Sequence, residues 1–269
     1  MSQSSMSFAG GIAEKYDSLL GPMFFDLYGA DLAKRVAKAN PQRVLETAAG
    51  TGLLTRQLRS ALGADAELVV TDINDEMLGV ARRRFAADPK ISFAEFDACT
   101  LPYEDASFDA LACQYGLMFF PEKVQALSEA RRVLRDGGVF VTNVWDKPEA
   151  NDLVRVIMSA VYEAVPQAQG MINTAPFDWN DMAEITKTYR AAGFSNPEIE
   201  RVEFETPCVS AEAVMRAFLD GSPMTTDILA MDGVDREALQ ATVTEALSAE
   251  FGEPPQGAMM RALVITAHK

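Results

Sequence analysis

The chain has 269 residues, 48% of them hydrophobic and 23% charged, which suits one large globular domain with a substantial core. A net charge of -15 without any Lys/Arg-rich run excludes a nucleic-acid surface, which needs a basic footprint, and the acidity reads as a solubility device. A single histidine, His268, and three cysteines (Cys99, Cys113 and Cys208), in neither a CxxC pair nor an even framework, exclude histidine-based metal sites and Ser-His-Asp chemistry.

The cysteines read as reduced thiols, and no metal is expected. No apolar run approaches the roughly 18 residues of a membrane helix. The start, "MSQSSMSFAGG", lacks the basic and apolar regions of an export signal. The sequence therefore predicts a cytoplasmic protein without a membrane span.

From about residue 30 to 145 the pattern alternates strand and helix, as a parallel sheet with crossover helices does. "RVLETA" (43–48) predicts a first strand, followed by a helix over "LLTRQLRSAL" that Gly63 can close. "ELVVTD" (67–72) is a second strand. Asn74 then caps a helix with Asp75 and Glu76 in its first turn and Arg82, Arg83 and Arg84 near its end, the order that suits the helix dipole.

"ISFAEFD" (91–97) supplies a third strand and "FDALACQYG" (108–116) a fourth. Pro121 opens the next helix, with Val124, Leu127, Ala130 and Leu134 on one face and Asp136-Gly137-Gly138 at its end. "GVFVTNVW" (138–145) is a fifth strand. Helices follow over 151–165 and 180–194, then a strand over 198–207, helices around 211–220 and 235–251, and a last strand over 258–269. The expected architecture is α/β: a seven-stranded, mostly parallel sheet with helices on both faces and a helical cap from late insertions. Residues 1–269 form one domain, with 1–30 as an N-terminal lid segment, 31–145 as the core and 146–269 as the remaining strands and the cap.

Function concentrates in "VLETAAGTGLL" (44–54), where Gly50 and Gly52 stand between a strand and a helix. Glycine there allows a ligand close to the backbone, and free N–H groups at the helix start attract its polar atoms. No GK[ST] follows, so this is not a P-loop. A dinucleotide fold wants a third small residue where this chain has Thr55, which argues against a nicotinamide or flavin ligand.

Asp72 ends the second strand, 20 residues beyond Gly52, where a carboxylate can take both hydroxyls of a ribose. Asp97 ends the third strand on the same carboxyl edge and can accept from an adenine amine. Glu46 precedes the loop and can orient the amino-acid end of a ligand, whereas it would repel a pyrophosphate. Met77, on the first turns of the following helix, can pack on adenine, although a Met at helical spacing also serves as core. One acid for ribose, one for adenine and one near an ammonium group describe S-adenosylmethionine. For each strand-end aspartate the competing reading is a helix cap.

The segments "RVLETAAGTGLLT", "LVVTDINDEML", "FDACTLPYEDASFDALACQYGLMFFPEKVQALSEARRVLRDGGVFVTNVW" and "APFDWNDMAEITKTYRAAGF" resemble the class I S-adenosylmethionine-dependent methyltransferases, within them the ubiquinone/menaquinone-biosynthesis-like (type 11) group. The resemblance implies a Rossmann-like fold. It places Glu46, Gly50, Thr51 and Gly52 at the methionine and ribose part of the cofactor, Asp72 on the ribose hydroxyls, and Ile73 and Met77 beside adenine. Asp97 and Ala98 then lie on the adenine edge, with Gln114 and Tyr115 near the sulfonium. "AEKYD" (13–17), with Tyr16, resembles the family's N-terminal segment that closes over the cofactor. Ala48 departs from the glycine often found there, and implies a slightly tighter loop.

The expected reaction is in-line methyl transfer to a small, apolar or aromatic acceptor, giving S-adenosylhomocysteine. Candidate bases are Tyr16, Tyr115, Asp146 and Asp178, each of which also reads as an ordinary packed or solvated side chain. Phe24, Phe25, Tyr28, Met118, Phe119, Phe120, Trp145, Phe177, Trp179 and Met224 are candidates for an acceptor pocket, with Phe119, Trp145 and Trp179 foremost. The rival readings are a cofactor-binding regulator or scaffold without turnover and a nucleotide-dependent oxidoreductase. The sequence fixes neither the acceptor atom nor the oligomeric state.

Overall fold

The computed structural model describes residues 16–221 and 225–269. Seven strands form one sheet: β1 (Arg43–Glu46), β2 (Glu67–Asp72), β3 (Ile91–Glu95), β4 (Phe108–Gln114), β5 (Leu134–Trp145), β6 (Glu198–Glu205) and β7 (Met259–His268). Their order is β3-β2-β1-β4-β5-β7-β6. β1 pairs parallel with β2 and β4, β2 with β3, and β4 with β5, whereas β7 runs antiparallel to β5. The strand order reverses between β1 and β4, and open α/β sheets bind ligands beyond the carboxyl ends at such a point.

The first helices are α1 (Asp26–Ala37), α2 (Leu53–Ala61), α3 (Asp75–Arg84) and α4 (Lys123–Val133). Behind the β1 edge the core comprises Leu32 and Val36 of α1, Leu54 and Leu58 of α2, Leu78 of α3, and Val44, Leu68, Val70, Ala110, Ala112 and Val141 of the sheet. Full burial of such a side chain stabilises by about 1.5–3 kcal/mol, so the sheet edge rests on a stiff support. Asn74 caps α3 by accepting from the Met77 N–H at 3.1 Å, as its position in the sequence predicts.

A π-helical turn over Tyr16–Phe25 and the first part of α1 fall within the lid segment expected over 1–30, and the rest of α1 falls in the expected core. The stripe Tyr28, Leu32, Ala33 and Val36, all buried, makes α1 part of the core layer. α4 begins at Lys123, just after Pro121, and buries Ala126, Leu127, Ala130 and Val133, while Val124 is exposed. The helix stops at Val133 instead of at Asp136-Gly137-Gly138. Leu134 is extended, fully buried and paired with Phe108, and the Gly137 turn (φ 77°) is absorbed inside β5 as a register shift between Phe108 and Ala110. Strand pairing of a buried leucine here outweighs continuation of the helix.

The chain divides into two compact units. One holds residues 25–146, 175–202 and 262–269: most of the sheet, α1 to α4, and α5 (Met182–Ala191), whose cap Asp181 accepts from Ala183 N–H at 2.7 Å. The other comprises residues 147–174 and 203–261 with the described residues before Phe25. It contains the helix Asp152–Ala164, which precedes α5 in the chain, and α6 (Ala211–Gly221), α7 (Thr226–Leu229) and α8 (Arg236–Phe251). α8 buries the stripe Leu239, Val243 and Leu247, and Arg155 of the helix Asp152–Ala164 pairs with Glu250 at 3.0 Å.

Candidate functional site

The residues that carry the sequence reading meet at the carboxyl ends of β1 and β2. In the loop after β1 the backbone turns left-handed at Ala48 (φ 52°), Gly50 (φ 56°) and Gly52 (φ 82°). Gly52 is required for a second reason: a Cβ there would lie 3.0 Å from the Ala81 Cβ and 3.1 Å from the Phe85 ring, so a side chain would push α3 off the loop. The Met77 methyl lies against Gly50, and Arg84 donates to the Thr51 carbonyl at 3.1 Å.

Asp72 is almost completely buried and uses both oxygens on backbone: one accepts from Gly50 N–H at 2.7 Å, the other from Asn74 N–H at 2.8 Å. It therefore clamps the glycine loop to β2. Burial raises its carboxyl against the lowering effect of backbone bonds from Asn74, Gly50 and Ile73. Ile73 beside it is 67% exposed, an apolar side chain held in the open next to the loop. Asp97 lies two residues past β3, exposed, with one oxygen accepting from Cys99 N–H at 2.8 Å, and Ala98 is half-buried.

Glu46 ends β1 and is 1% exposed. One oxygen accepts from the Thr55 hydroxyl at 2.7 Å, and Oε1 is buried with no partner among the described residues. Burial, reinforced by Asp72 and opposed by the Thr55 bond, raises its pKa to about 8. Thr55 is the residue whose size argued against a dinucleotide; its hydroxyl engages the acid, a role that spacing alone did not signal.

The ends of β4 and β5 carry a second cluster. Tyr115 has a left-handed backbone (φ 52°), and its N–H donates to both the backbone oxygen of Asn143 at 3.2 Å and its side-chain Oδ1 at 3.0 Å. The Tyr115 ring stacks on Trp145, centroids 4.0 Å apart, with Tyr28 edge-on to Trp145 at 5.3 Å and Phe25 edge-on to Tyr115 at 5.6 Å. Gln114 donates to the Phe25 carbonyl at 2.8 Å, tying the start of α1 to this edge. Asn143 was missed in the sequence because a polar residue inside an apolar strand gives no periodic signal.

The other candidates are more scattered. Trp179 is buried beneath Lys123, whose ammonium is 5.5 Å from its ring centroid, and Phe119 is 38% exposed. Asp146 is buried and paired with Arg201 at 2.6 Å, so it is a poor base, and Asp178 is exposed on the chain before α5. Met224 and the Tyr16 side chain lie outside the described residues.

The residues fit a nucleoside bearing an amino-acid group: a loop open to close approach, acids on adjacent strand tips, and a buried carboxyl oxygen awaiting a donor. The fold and this edge define a Rossmann-like methyltransferase. A family model described as the ubiE/COQ5 methyltransferase family matches residues 6–204, and the chain belongs to that family: it is an S-adenosylmethionine-dependent methyltransferase. A demethylmenaquinone methyltransferase from Clavibacter sepedonicus is 32% identical over 196 residues, covering 69% of this chain and 78% of that protein. A ubiquinone/menaquinone biosynthesis C-methyltransferase UbiE from Brucella anthropi is 31% identical over 203 residues, covering 72% and 77%.

Two solved structures share the fold. The YcgJ protein of Bacillus subtilis has a TM-score of 0.59 at 19% identity, covering 90% of this chain and 98% of that one. A phosphoethanolamine N-methyltransferase of Haemonchus contortus, crystallised with phosphomonomethylethanolamine and S-adenosylhomocysteine, has a TM-score of 0.61 at 17% identity, covering 96% of this chain and 57% of that one. Among the described residues no helix is long and apolar enough to cross a membrane.

Proposed function

We propose that this enzyme methylates a small, largely aromatic molecule held against the Tyr115–Trp145 stack, and that a ring carbon is the attacking atom. The observation that carries this reading is the cluster of Phe25, Tyr28, Tyr115 and Trp145 at the ends of β4 and β5, beside the glycine loop. The relatives' names supply a carbon as the acceptor atom and the quinone class, and the aromatic cluster favours a ring carbon. In this reading Glu46, Ala48, Gly50, Thr51 and Gly52 hold the methionine and ribose part of the cofactor, and Asp72 takes the ribose hydroxyls. Ile73, Met77, Asp97 and Ala98 surround adenine, and Gln114 lies near the sulfonium. Phe119, Trp145 and Trp179 shape the acceptor's surroundings. The reduced thiols support a cytoplasmic setting.

S-adenosylmethionine supplies a methyl group activated by positive sulfur. The nucleophile's electron pair forms the new bond to the methyl carbon, the S–C bond breaks onto sulfur, and the acceptor loses a proton. The chain's task is alignment, which contributes on the order of 7–11 kcal/mol in well-oriented reactions, and exclusion of water by the buried rings. An electron-rich hydroquinone ring needs little help from a base, consistent with the pairing of Asp146.

The test is transfer of labelled methyl from S-adenosylmethionine to a panel that includes a reduced naphthoquinone, a phenol and an aliphatic amine. Label on a ring carbon of the naphthoquinol supports the proposal; label only on the amine overturns the aromatic-carbon reading.

A further inference from the structure

We propose that Glu46 carries a proton in the cofactor-free enzyme and gives it up when an ammonium group arrives, so that binding the amino-acid end of the cofactor expels a proton. This rests on the placement of the cofactor proposed above and adds to it a pH-governed affinity. The carboxyl ends β1 among neighbours that offer it no positive charge. Its register partners are Val70 of β2 and Ala112 of β4, both buried and apolar.

From α2 it receives the Thr55 hydroxyl and, as a smaller effect, the Thr55 backbone N–H, both uncharged donors, while Arg56 of that helix is paired with Asp26 of α1. From β2 the ionisable neighbour is Asp72, an acid, and Arg84 of α3 bonds the Thr51 carbonyl. Among the described residues no Lys or Arg forms an ion pair with Glu46.

An ionised carboxylate in that position would keep Oε1 charged, buried and without a donor. A buried unpaired charge costs far more than a buried unpaired carbonyl oxygen, and the group neutralises instead. The rise of its pKa to about 8 agrees with that geometry. An ammonium N–H reaching Oε1 supplies both the missing donor and the missing counter-charge. The balance is then a neutral carboxyl plus an ammonium going to a carboxylate–ammonium pair plus one proton released to solvent.

The experiment is calorimetric titration with S-adenosylhomocysteine in phosphate and in Tris at matched pH, since the two buffers absorb a proton with different heats. We expect close to one proton released at about pH 6.5 and an affinity that rises up to about tenfold per pH unit between about pH 6 and 7.5. Glu46→Gln should bind without proton release and with a flat pH profile. Thr55→Val, a near-isosteric change that withdraws the hydroxyl, should move the rise to higher pH and weaken binding at pH 7 by about threefold to tenfold. Wild-type binding that releases no proton and ignores pH would overturn the proposal while leaving the cofactor site standing. No binding at any pH would overturn both.

Discussion

Ala48 shows how one methyl group shapes the loop. Its φ of 52° is a conformation that costs an L-residue roughly 1–2 kcal/mol, and glycine adopts it freely. A Cβ placed on Gly116 would overlap the Ala48 Cβ and lie 2.9 Å from the Cys113 Sγ. The alanine therefore touches the turn that follows Tyr115, and Gly116 is the residue that leaves room for it. Ala48→Gly should raise stability by about 1 kcal/mol, read as a shift of the urea midpoint. Gly116→Ala should cost about 1–3 kcal/mol, and Ala48→Gly should gain more stability in that background than it does in the wild type. An equal gain in both backgrounds would show that the two residues do not press on each other. Residue type at Ala48 predicts only a mild tightening, and the positive φ adds backbone strain that residue type does not reveal.

At the scale of elements, α4 is tied to the chain between β3 and β4 mainly through Arg132, with Glu129 and Gln125 adding bonds of their own. Arg132 bonds Glu129 at 2.7 Å, Asp105 at 2.9 Å, the Tyr103 carbonyl at 2.7 Å and the Leu101 carbonyl at 2.8 Å, while Glu129 accepts from Leu101 N–H at 2.9 Å. Arg132→Met keeps the aliphatic stem and removes the fork. We expect a loss of about 1–3 kcal/mol by chemical denaturation, since bonds to a charged group are strong but these are partly screened by solvent. The strands with two covered faces, β2 and β4, were legible as apolar runs, and Asn74 was legible as a cap because Asx before an acidic first turn has a physical reason to be one. The end of α4 and the start of β5 were not, because a leucine's pairing with Phe108, distant in sequence, decided them. The acids and glycines of the site stood out by their spacing along strand ends, whereas Thr55 and Asn143 act through contacts across strands and helices that spacing does not encode.

For the molecule as a whole, the buried acids couple stability to pH. Glu46 rises from 4.5 unfolded to about 8 folded, so between those values the native state holds more protons than the unfolded chain. Its contribution is complete below about pH 4.5 and is lost as pH rises through about 8, with a slope of at most about 1.4 kcal/mol per pH unit. Asp72, also raised by burial, adds in the same sense. Glu129 and Glu200, lowered by Arg132 and Arg35, act oppositely: their contributions are present at neutral pH and lost on acidification. Urea midpoints for wild type should fall between about pH 5 and 8, and Glu46→Gln should flatten that fall. An unchanged slope in the variant would assign the pH dependence to other groups.

The reading of this enzyme depends on the acids beside the glycine loop gripping the adenosyl part of the cofactor. The direct measurement is the affinity of S-adenosylhomocysteine for wild type, Asp72→Ala and Asp97→Ala, with each variant's fold checked by circular dichroism. Each substitution should weaken binding by at least about 1 kcal/mol, or about fivefold. Wild-type affinity in both folded variants would contradict the assignment.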